Sequence, residues 1–341
     1  MRRDCCRGRS EKDNAETQRT QRFAEIGRDL VIGAVDIGGT KIAVGMVDDH
    51  GTVRAKLESP TAGERGYADG LARITSMLRE AARKASAEIS GIGIGSTGWV
   101  FPFTGEFGDV DFLPLWKGCN PVADLSLAFG VGVALENDGD ASALGEAGWG
   151  AGRGKRRLIY VTVGTGIGGG IILDGQLYRG VDRSHPEVGH HVIDASGPAC
   201  TCGFRGCWEA LATGPAMAAW YKSNMGEDGA GGKELGAKKI FHLAREGDAL
   251  ARRAVERETY FLGLGLANLI GLFVPDMIVL GGSVMKSVQL EDLRGVIAKG
   301  CRFVPWEKTE LALASLGEDA NLIGAARVWH YRFGGEAKGS A

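Results

Sequence analysis

A chain of 341 residues with 44% hydrophobic and 24% charged content has the balance of a globular protein, long enough for one large or two ordinary domains. Its formal net charge of −2 supplies no broad basic field for nucleic acid, and no apolar run approaches the roughly 20 residues that cross a bilayer. Small molecules, rather than nucleic acid or membrane, are therefore the expected partners.

Residues 1–29 are polar, arginine-rich and without apolar periodicity, which predicts a disordered N-terminal extension. Arg2 and Arg3 are followed by no apolar region, so they read as tail charge rather than an export signal. With no such signal and scattered cysteines at 5, 6, 119 and 301, the expected compartment is the reducing cytoplasm.

Leu30 to Val35 is an apolar strand running into Asp36. A glycine turn at Ile37 to Thr40 leads to a second strand from Lys41 to Val47, and Val53 to Ser59 is a third. Leu71, Ile74 and Leu78 recur at helical spacing within Tyr67 to Ala87, ahead of a buried strand at Gly91 to Thr97. Phe101 to Asn120 mixes proline, glycine and aromatics without a period and reads as a long functional loop. After a helix at Val122 to Phe129, the strand Val131 to Asn137 delivers Glu136, Asn137 and Asp138 to a turn before a helix at Ala141 to Gly148. Then Leu158 to Val163, the turn Gly164 to Gly169 and Gly170 to Gly175 echo the opening strand, glycine turn, strand unit. The echo predicts two related halves.

Further on, helices are expected at Ala216 to Tyr221 and Lys238 to Arg245, with a long apolar helix ending near Phe273, where Pro275 stops it. Met277 to Leu280 is a strand closed by Gly281-Gly282, Leu311 to Gly317 a last strand, and Asn321 to Tyr331 a last helix. Strands alternating with helices define an α/β protein.

Between Val188 and Glu209, one histidine and three of the seven cysteines form the array His190, Cys200, Cys202, Cys207. That is a full ligand set for one tetrahedral zinc with no vacant position, hence a structural rather than a catalytic metal. His191 competes with His190 for the fourth place, because neighbours in an extended segment face opposite ways. Glu187 and Glu209 flank the array and would line whatever pocket it shapes. The three glycine turns, at Gly38-Gly39, Gly164 to Gly169 and Gly281-Gly282, offer backbone N–H groups suited to phosphate, although none is a Walker or dinucleotide signature. Asp138, at a strand end before a helix, reads either as an ordinary N-cap or as a catalytic carboxylate.

Taken together, DIGGTK (36–41), END (136–138), GTGIGGG (164–170), EVGH (187–190) and CTCGFRGCWE (200–209) resemble the ROK family of sugar kinases and repressors, over Val31 to Val328. The resemblance implies the actin-like/ribonuclease-H-like two-lobed sugar kinase fold (the ASKHA class). Its N-terminal lobe is expected at 30–137, completed by a C-terminal helix at 319–332, and its C-terminal lobe, with the zinc segment, at 138–318. The resemblance makes Asp138 the catalytic base, and Asn137, Asp138, Glu187, His190 and Glu209 the sugar ligands. Asp36, Gly38, Gly39, Thr40, Lys41, Thr165, Gly166, Gly281 and Gly282 become the nucleotide and Mg²⁺ residues; Lys41 could equally be a strand-edge charge. Zinc would take His190, Cys200, Cys202 and Cys207, with the second nitrogen of His190 left for the sugar.

The implied cofactors are ATP, Mg²⁺ and structural Zn²⁺, and the implied assembly is a homodimer. The implied reaction is glucose to glucose 6-phosphate. N-acetylmannosamine, N-acetylglucosamine or fructose are the alternative substrates, and a sugar-responsive regulator is the alternative of another class. The roughly 30 residues before Val31 are short for the helix-turn-helix reader of such regulators. Two departures stand out: Gly139-Asp140, where the family usually has a small residue and Asn, puts another carboxylate beside the base, and His185-Pro186 alters the pocket rim. Selectivity is expected to depend on that rim and on the stretch from Trp99 to Trp116.

Overall fold

The computed structural model describes residues 30–225 and 235–334, so the extension expected at residues 1–29 lies outside the described residues. The first half runs β1 (Val31–Ile37), β2 (Lys41–Asp48), β3 (Val53–Pro60), α1 (Tyr67–Ala85), β4 (Gly91–Ser96), the hairpin β5 (Val100–Phe101) and β6 (Glu106–Phe107), α2 (Pro121–Phe129), β7 (Val133–Asn137) and α3 (Asp138–Trp149). The second runs β8 (Leu158–Val163), β9 (Ile167–Leu173), β10 (Gln176–Leu177), α4 (Trp208–Leu211), α5 (Gly214–Ser223), α6 (Ala237–Glu246), α7 (Ala249–Phe273), β11 (Met277–Gly281), α8 (Leu290–Gly300), β12 (Glu310–Leu313) and α9 (Ala320–Phe333).

Two five-stranded sheets share one topology. The first is ordered β3-β2-β1-β4-β7 and the second β10-β9-β8-β11-β12. In each, the first three strands pair antiparallel and the last two add in parallel on the other side. The weak sequence echo is thus a duplicated fold, in which Asp36-Ile37-Gly38-Gly39-Thr40 occupies the place that Thr162-Val163-Gly164-Thr165-Gly166 holds in the second sheet.

Side-chain alternation along β1 and β8 explains what each face meets. Val31, Val35 and Ile37 join Ile74 and Leu78 of α1, whereas Ile32 and Ala34 join Leu322, Ala325 and Trp329 of α9. Asp36 falls on the second face, towards α9. In β8, Ile159, Val161 and Val163 face the core of α5 to α7, and Leu158 and Tyr160 face Ala141, Ala143 and Leu144 of α3. With both faces covered, β1 is buried throughout, while the edge strand β3 alternates between half-buried and exposed.

The fifth strand of each sheet feeds a helix that packs on the other sheet. α3 leaves β7 and lies on β8 and β9, and α9 follows β12 and lies on β1 and β4. The two helices cross through glycine: a Cβ on Gly324 would stand 2.6 Å from the Ala141 carbonyl oxygen. This exchange is the physical connection between the lobes.

Among the element boundaries that differ from the sequence expectation, two lie beside Asp138. α3 starts at Asp138 rather than Ala141, because Asn137 Oδ1 accepts the Gly139 N–H at 2.8 Å and caps the helix there. Gly139 suggested a turn, but a Cβ there would meet the Gly169 carbonyl oxygen at 2.5 Å, so the glycine serves helix-on-strand packing. Gly168 and Gly169 likewise belong to β9 rather than to the turn before it, and a Cβ on Gly169 would meet the Tyr160 carbonyl oxygen at 2.3 Å. The stretch 101–120 folds back through β5 and β6 and buries Trp116 against Gly70, Tyr67 and Phe107, which makes Trp116 a core residue. No helix is long and apolar enough to cross a membrane among the described residues.

Glu258, in the long helix α7, is fully buried, and neither carboxylate oxygen has a hydrogen-bond partner among the described residues. Burial pushes its carboxyl up to about 8, only partly opposed by Arg257. The folded protein therefore holds a proton that the unfolded chain releases near pH 4.5. Its stability contribution is full below that value and declines as pH rises towards about 8, by up to about 1.4 kcal/mol per unit. Glu258→Gln should accordingly be increasingly more stable than the parent between about pH 5 and pH 8 in urea unfolding; parallel stability curves would contradict this assignment.

Candidate active site

Asp36, near the end of β1, and Asp138, in the first turn of α3, lie close enough for the charge of Asp138 to act on Asp36. Asp36 is 8% exposed, its Oδ2 accepting from Asn321 Nδ2 at 3.2 Å, at the start of α9. Burial, reinforced by the Asp138 charge, pushes its carboxyl up to about 6 despite that hydrogen bond. Asp138 is also raised, mainly by burial, and the Gly139 N–H and the His185 charge oppose the rise. Asp138 Oδ1 lies 2.8 Å from the Gly139 nitrogen, and its carboxylate sits on the positive end of α3.

A cleft of about 430 Å³ opens beside Asp36. It is lined from the first half by Lys41, Lys56 and Glu58, and from the second by Tyr160, Thr162, Gly281, Gly282 and Lys286. Of the residues expected to hold nucleotide, Asp36, Lys41, Gly281 and Gly282 line this cleft; Gly38, Gly39 and Thr40 form the hairpin turn above β1 and β2, and Thr165 and Gly166 the matching turn above β8 and β9. Lys41 lines the cleft, and its ammonium pairs with Glu58 at 2.8 Å. Gly282 has φ +89°, and a Cβ there would stand 2.2 Å from the Val163 carbonyl oxygen, so this glycine lets β11 end tightly against β8.

The sugar-side candidates converge on the start of β9. Gly189 packs so closely that a Cβ would meet the Ile167 carbonyl oxygen at 2.1 Å, which seats the Glu187 to His190 turn there. Glu209 Oε2 accepts the Ile167 N–H at 2.9 Å, tying the helix after the cysteines to the Gly164 to Gly166 turn. Asn137 is more committed than its expected role implies: its oxygen caps α3 and its amide nitrogen donates to the Gly98 carbonyl at 3.2 Å.

The ligand atoms of His190, Cys200, Cys202 and Cys207 all lie within 4.8 Å of one another. His190 Nδ1 stands 3.4 Å from Cys200 Sγ, and the Cys202 and Cys207 sulfurs are 3.4 Å apart, far beyond a disulfide bond. Zinc–sulfur bonds of about 2.3 Å imply tetrahedral edges of about 3.8 Å, so the set fits. Left-handed Gly203 and Gly206, at φ +97° and +69°, fold the loop so that the three thiols converge. His191 turns away: its Nδ1 lies 2.6 Å from the Val188 carbonyl oxygen and its ring packs on buried Trp208.

Sequence reasoning missed Lys56, Lys286 and Asn321, and also Arg179, which belongs to no motif and whose partners are distant in sequence. Asp140, read as an extra charge beside the base, is fully buried and paired with Arg179 and His185. Its charge is the last of the main influences on Asp138, and burial the first.

The chain resembles known proteins in sequence and fold. The profile of the ROK family matches residues 32–332. A glucokinase of Thermotoga maritima is 33% identical over 90% of this chain and 99% of its own length. Among solved structures, a ROK hexokinase from Thermus thermophilus is 34% identical with a TM-score of 0.75, covering 88% of this chain and 97% of that one. A ROK family glucokinase from Streptomyces griseus, crystallised with glucose and AMPPNP, is 31% identical with a TM-score of 0.72, covering 87% and 98%. The duplicated sheets with exchanged helices are thus the actin-like fold of sugar kinases, and the chain belongs to the ROK family.

Proposed function

We propose that this protein is an ATP-dependent hexose kinase that forms glucose 6-phosphate from glucose. What supports the reading is Asp138, a carboxylate on the N-terminus of α3 whose charge acts on Asp36, together with the cleft that Asp36 lines with Lys41, Lys56, Lys286, Gly281 and Gly282. Phosphoryl transfer asks the protein chiefly for alignment and charge stabilisation. In this reading the 6-hydroxyl oxygen bonds to the γ-phosphorus as the bond from that phosphorus to ADP breaks, and Asp138 accepts the hydroxyl proton.

Glu187, His190 and Glu209 hold the remaining hydroxyls, the last two through side chains already fixed on the metal array and on Ile167. Mg²⁺, when bound, supplies neutralisation of phosphate charge. Asp36 suits it, because a buried carboxylate pushed up to about 6 gains from a nearby cation. Lys41, Lys56 and Lys286 give the cleft the positive charge that a triphosphate needs. Zinc, held by His190, Cys200, Cys202 and Cys207, supplies folding free energy and fixes the pocket wall. Similarity to glucokinases supports glucose over fructose and the N-acetylated hexosamines, and the intact crevice carboxylates support catalysis over sugar-responsive regulation.

A coupled ADP-release assay across glucose, mannose, fructose, N-acetylglucosamine and N-acetylmannosamine should show the highest kcat/KM for glucose. No turnover with any of them would end the kinase reading. Asp138→Asn should reduce kcat by about 10² to 10⁴-fold while leaving hexose affinity by calorimetry within about threefold; full rate in this variant would remove Asp138 as the base. Cys202→Ser, or extraction with a chelator, should lower Tm and hexose affinity together, and parent-like values of both would show that the array does not support the pocket.

A further inference from the structure

Glu146 lies about two turns along α3 from Asp138, and the phosphoryl-transfer reading gives it no task. It is 1% exposed, yet its carboxylate accepts four hydrogen bonds. Oε1 takes the Ser315 N–H at 2.9 Å and the Leu316 N–H at 3.1 Å. Oε2 takes the Ala151 N–H at 2.8 Å and the Ser315 hydroxyl at 3.3 Å. Gly150 makes room for this arrangement, since a Cβ there would stand 2.0 Å from Oε2. An acid in the last turn of a helix meets the unfavourable end of the peptide dipoles. Here that cost is offset by donors from two separate parts of the chain.

Most of those donors belong to the strip that joins β12 to α9. The strip starts on β11, where the Ala314 N–H donates to the Leu280 carbonyl at 2.9 Å, and it ends at Asn321, whose amide donates to Asp36 at 3.2 Å. Ala314, Gly317, Glu318 and Asn321 line the cleft beside Asp36, and the pinned residues Ser315 and Leu316 lie between Ala314 and Gly317. Ser315, Gly317 and Glu318 are exposed, and Gly317 is left-handed at φ +71°, so burial alone does not fix this segment. β12 belongs to the second sheet and α9 packs on the first, which makes the strip one of the two crossings between the lobes. The other crossing is the one into α3. Glu146 therefore ties one crossing to the other. The neighbouring Gly145 shows how closely they approach: a Cβ there would stand 3.0 Å from Gly324 Cα and 3.1 Å from Leu316 Cδ1.

We propose that Glu146 is a positioning residue for the phosphoryl donor: by pinning the strip between β12 and α9, it sets the wall of the cleft and the hold of Asn321 on Asp36. The inference rests on the reading of that cleft as the nucleotide site. An unpinned strip spends less time in the arrangement that forms the wall, and donor affinity falls by that fraction. The proposed sugar ligands are seated on the start of β9 rather than on this strip, so hexose affinity is spared. Glutamine in place of Glu146 has one acceptor oxygen: it can still serve the two strip amides, but it sets an NH₂ group against the Ala151 N–H.

Calorimetry on the full-length protein, with AMPPNP and Mg²⁺ and separately with glucose, tests the proposal alongside steady-state kinetics. Glu146→Ala should weaken AMPPNP binding and raise KM for ATP by about tenfold, and Glu146→Gln by about threefold. In both variants glucose affinity should stay within about twofold. By hydrogen exchange, the Ser315 and Leu316 amides should exchange faster in Glu146→Ala than in the parent.

Parent-like AMPPNP affinity in folded Glu146→Ala, or equal losses of AMPPNP and glucose affinity, overturns the proposal. If Glu146→Ala does not fold, Glu146→Gln decides by the same two affinities, and parent-like AMPPNP binding there overturns it. Failure of the parent to bind AMPPNP would instead remove the nucleotide reading of the cleft, and the proposal with it.

Discussion

The first turn of α3 lies almost in contact with β9, and the rest of the site depends on that approach. Gly139 and Gly169 meet without side chains, and Gly170 is equally close: a Cβ there would stand 2.7 Å from the Gly139 carbonyl oxygen. A helix leaving the first sheet is thereby docked on the second, and its N-terminal residue, Asp138, is held in the crevice between them. The alternative use of these glycines, as flexible turn residues, would leave the proposed base on a loop. A carboxylate on a packed helix terminus is better defined in position, and the peptide dipoles favour its charged form.

Around that point the second lobe assembles a wall. Gly189 against Ile167, Glu209 on the Ile167 N–H and the His190–cysteine array all converge on the start of β9. A loop with two left-handed glycines and little apolar content cannot order itself by burial, and three thiolates and an imidazole around one zinc ion, as proposed, would do so. On the opposite side, Asn321 of α9 holds Asp36, so both exchanged helices contribute to the same crevice.

Much of this was legible in the sequence, because the signals were local. The apolar runs of β1 and β8, the repeated strand, glycine turn, strand unit and the cysteine spacing each concern residues within about one element of one another. Glycine was the ambiguous letter: at 139 and 169 it marked close packing rather than turns, a distinction that needs the partner backbone in view. The buried Glu136–Arg179–Asp140–His185 cluster was only half visible. Asp140 and His185 could be noticed as unusual, but Arg179 lies 39 residues from Asp140 in sequence, and nothing local announces the pairing. Trp116 illustrates the opposite error, an aromatic in an irregular stretch that belongs to the core.

The central claim is geometric: one carboxylate, fixed by helix-on-strand packing, faces the hydroxyl that receives phosphate. A crystal structure of this protein with glucose and AMPPNP tests it most directly. The account predicts the 6-hydroxyl within hydrogen-bond distance of the Asp138 carboxylate, with Glu187, Glu209 and the second nitrogen of His190 on the other hydroxyls. A sugar bound away from the crevice, or an Asp138 side chain turned from it while both ligands are present, would contradict it.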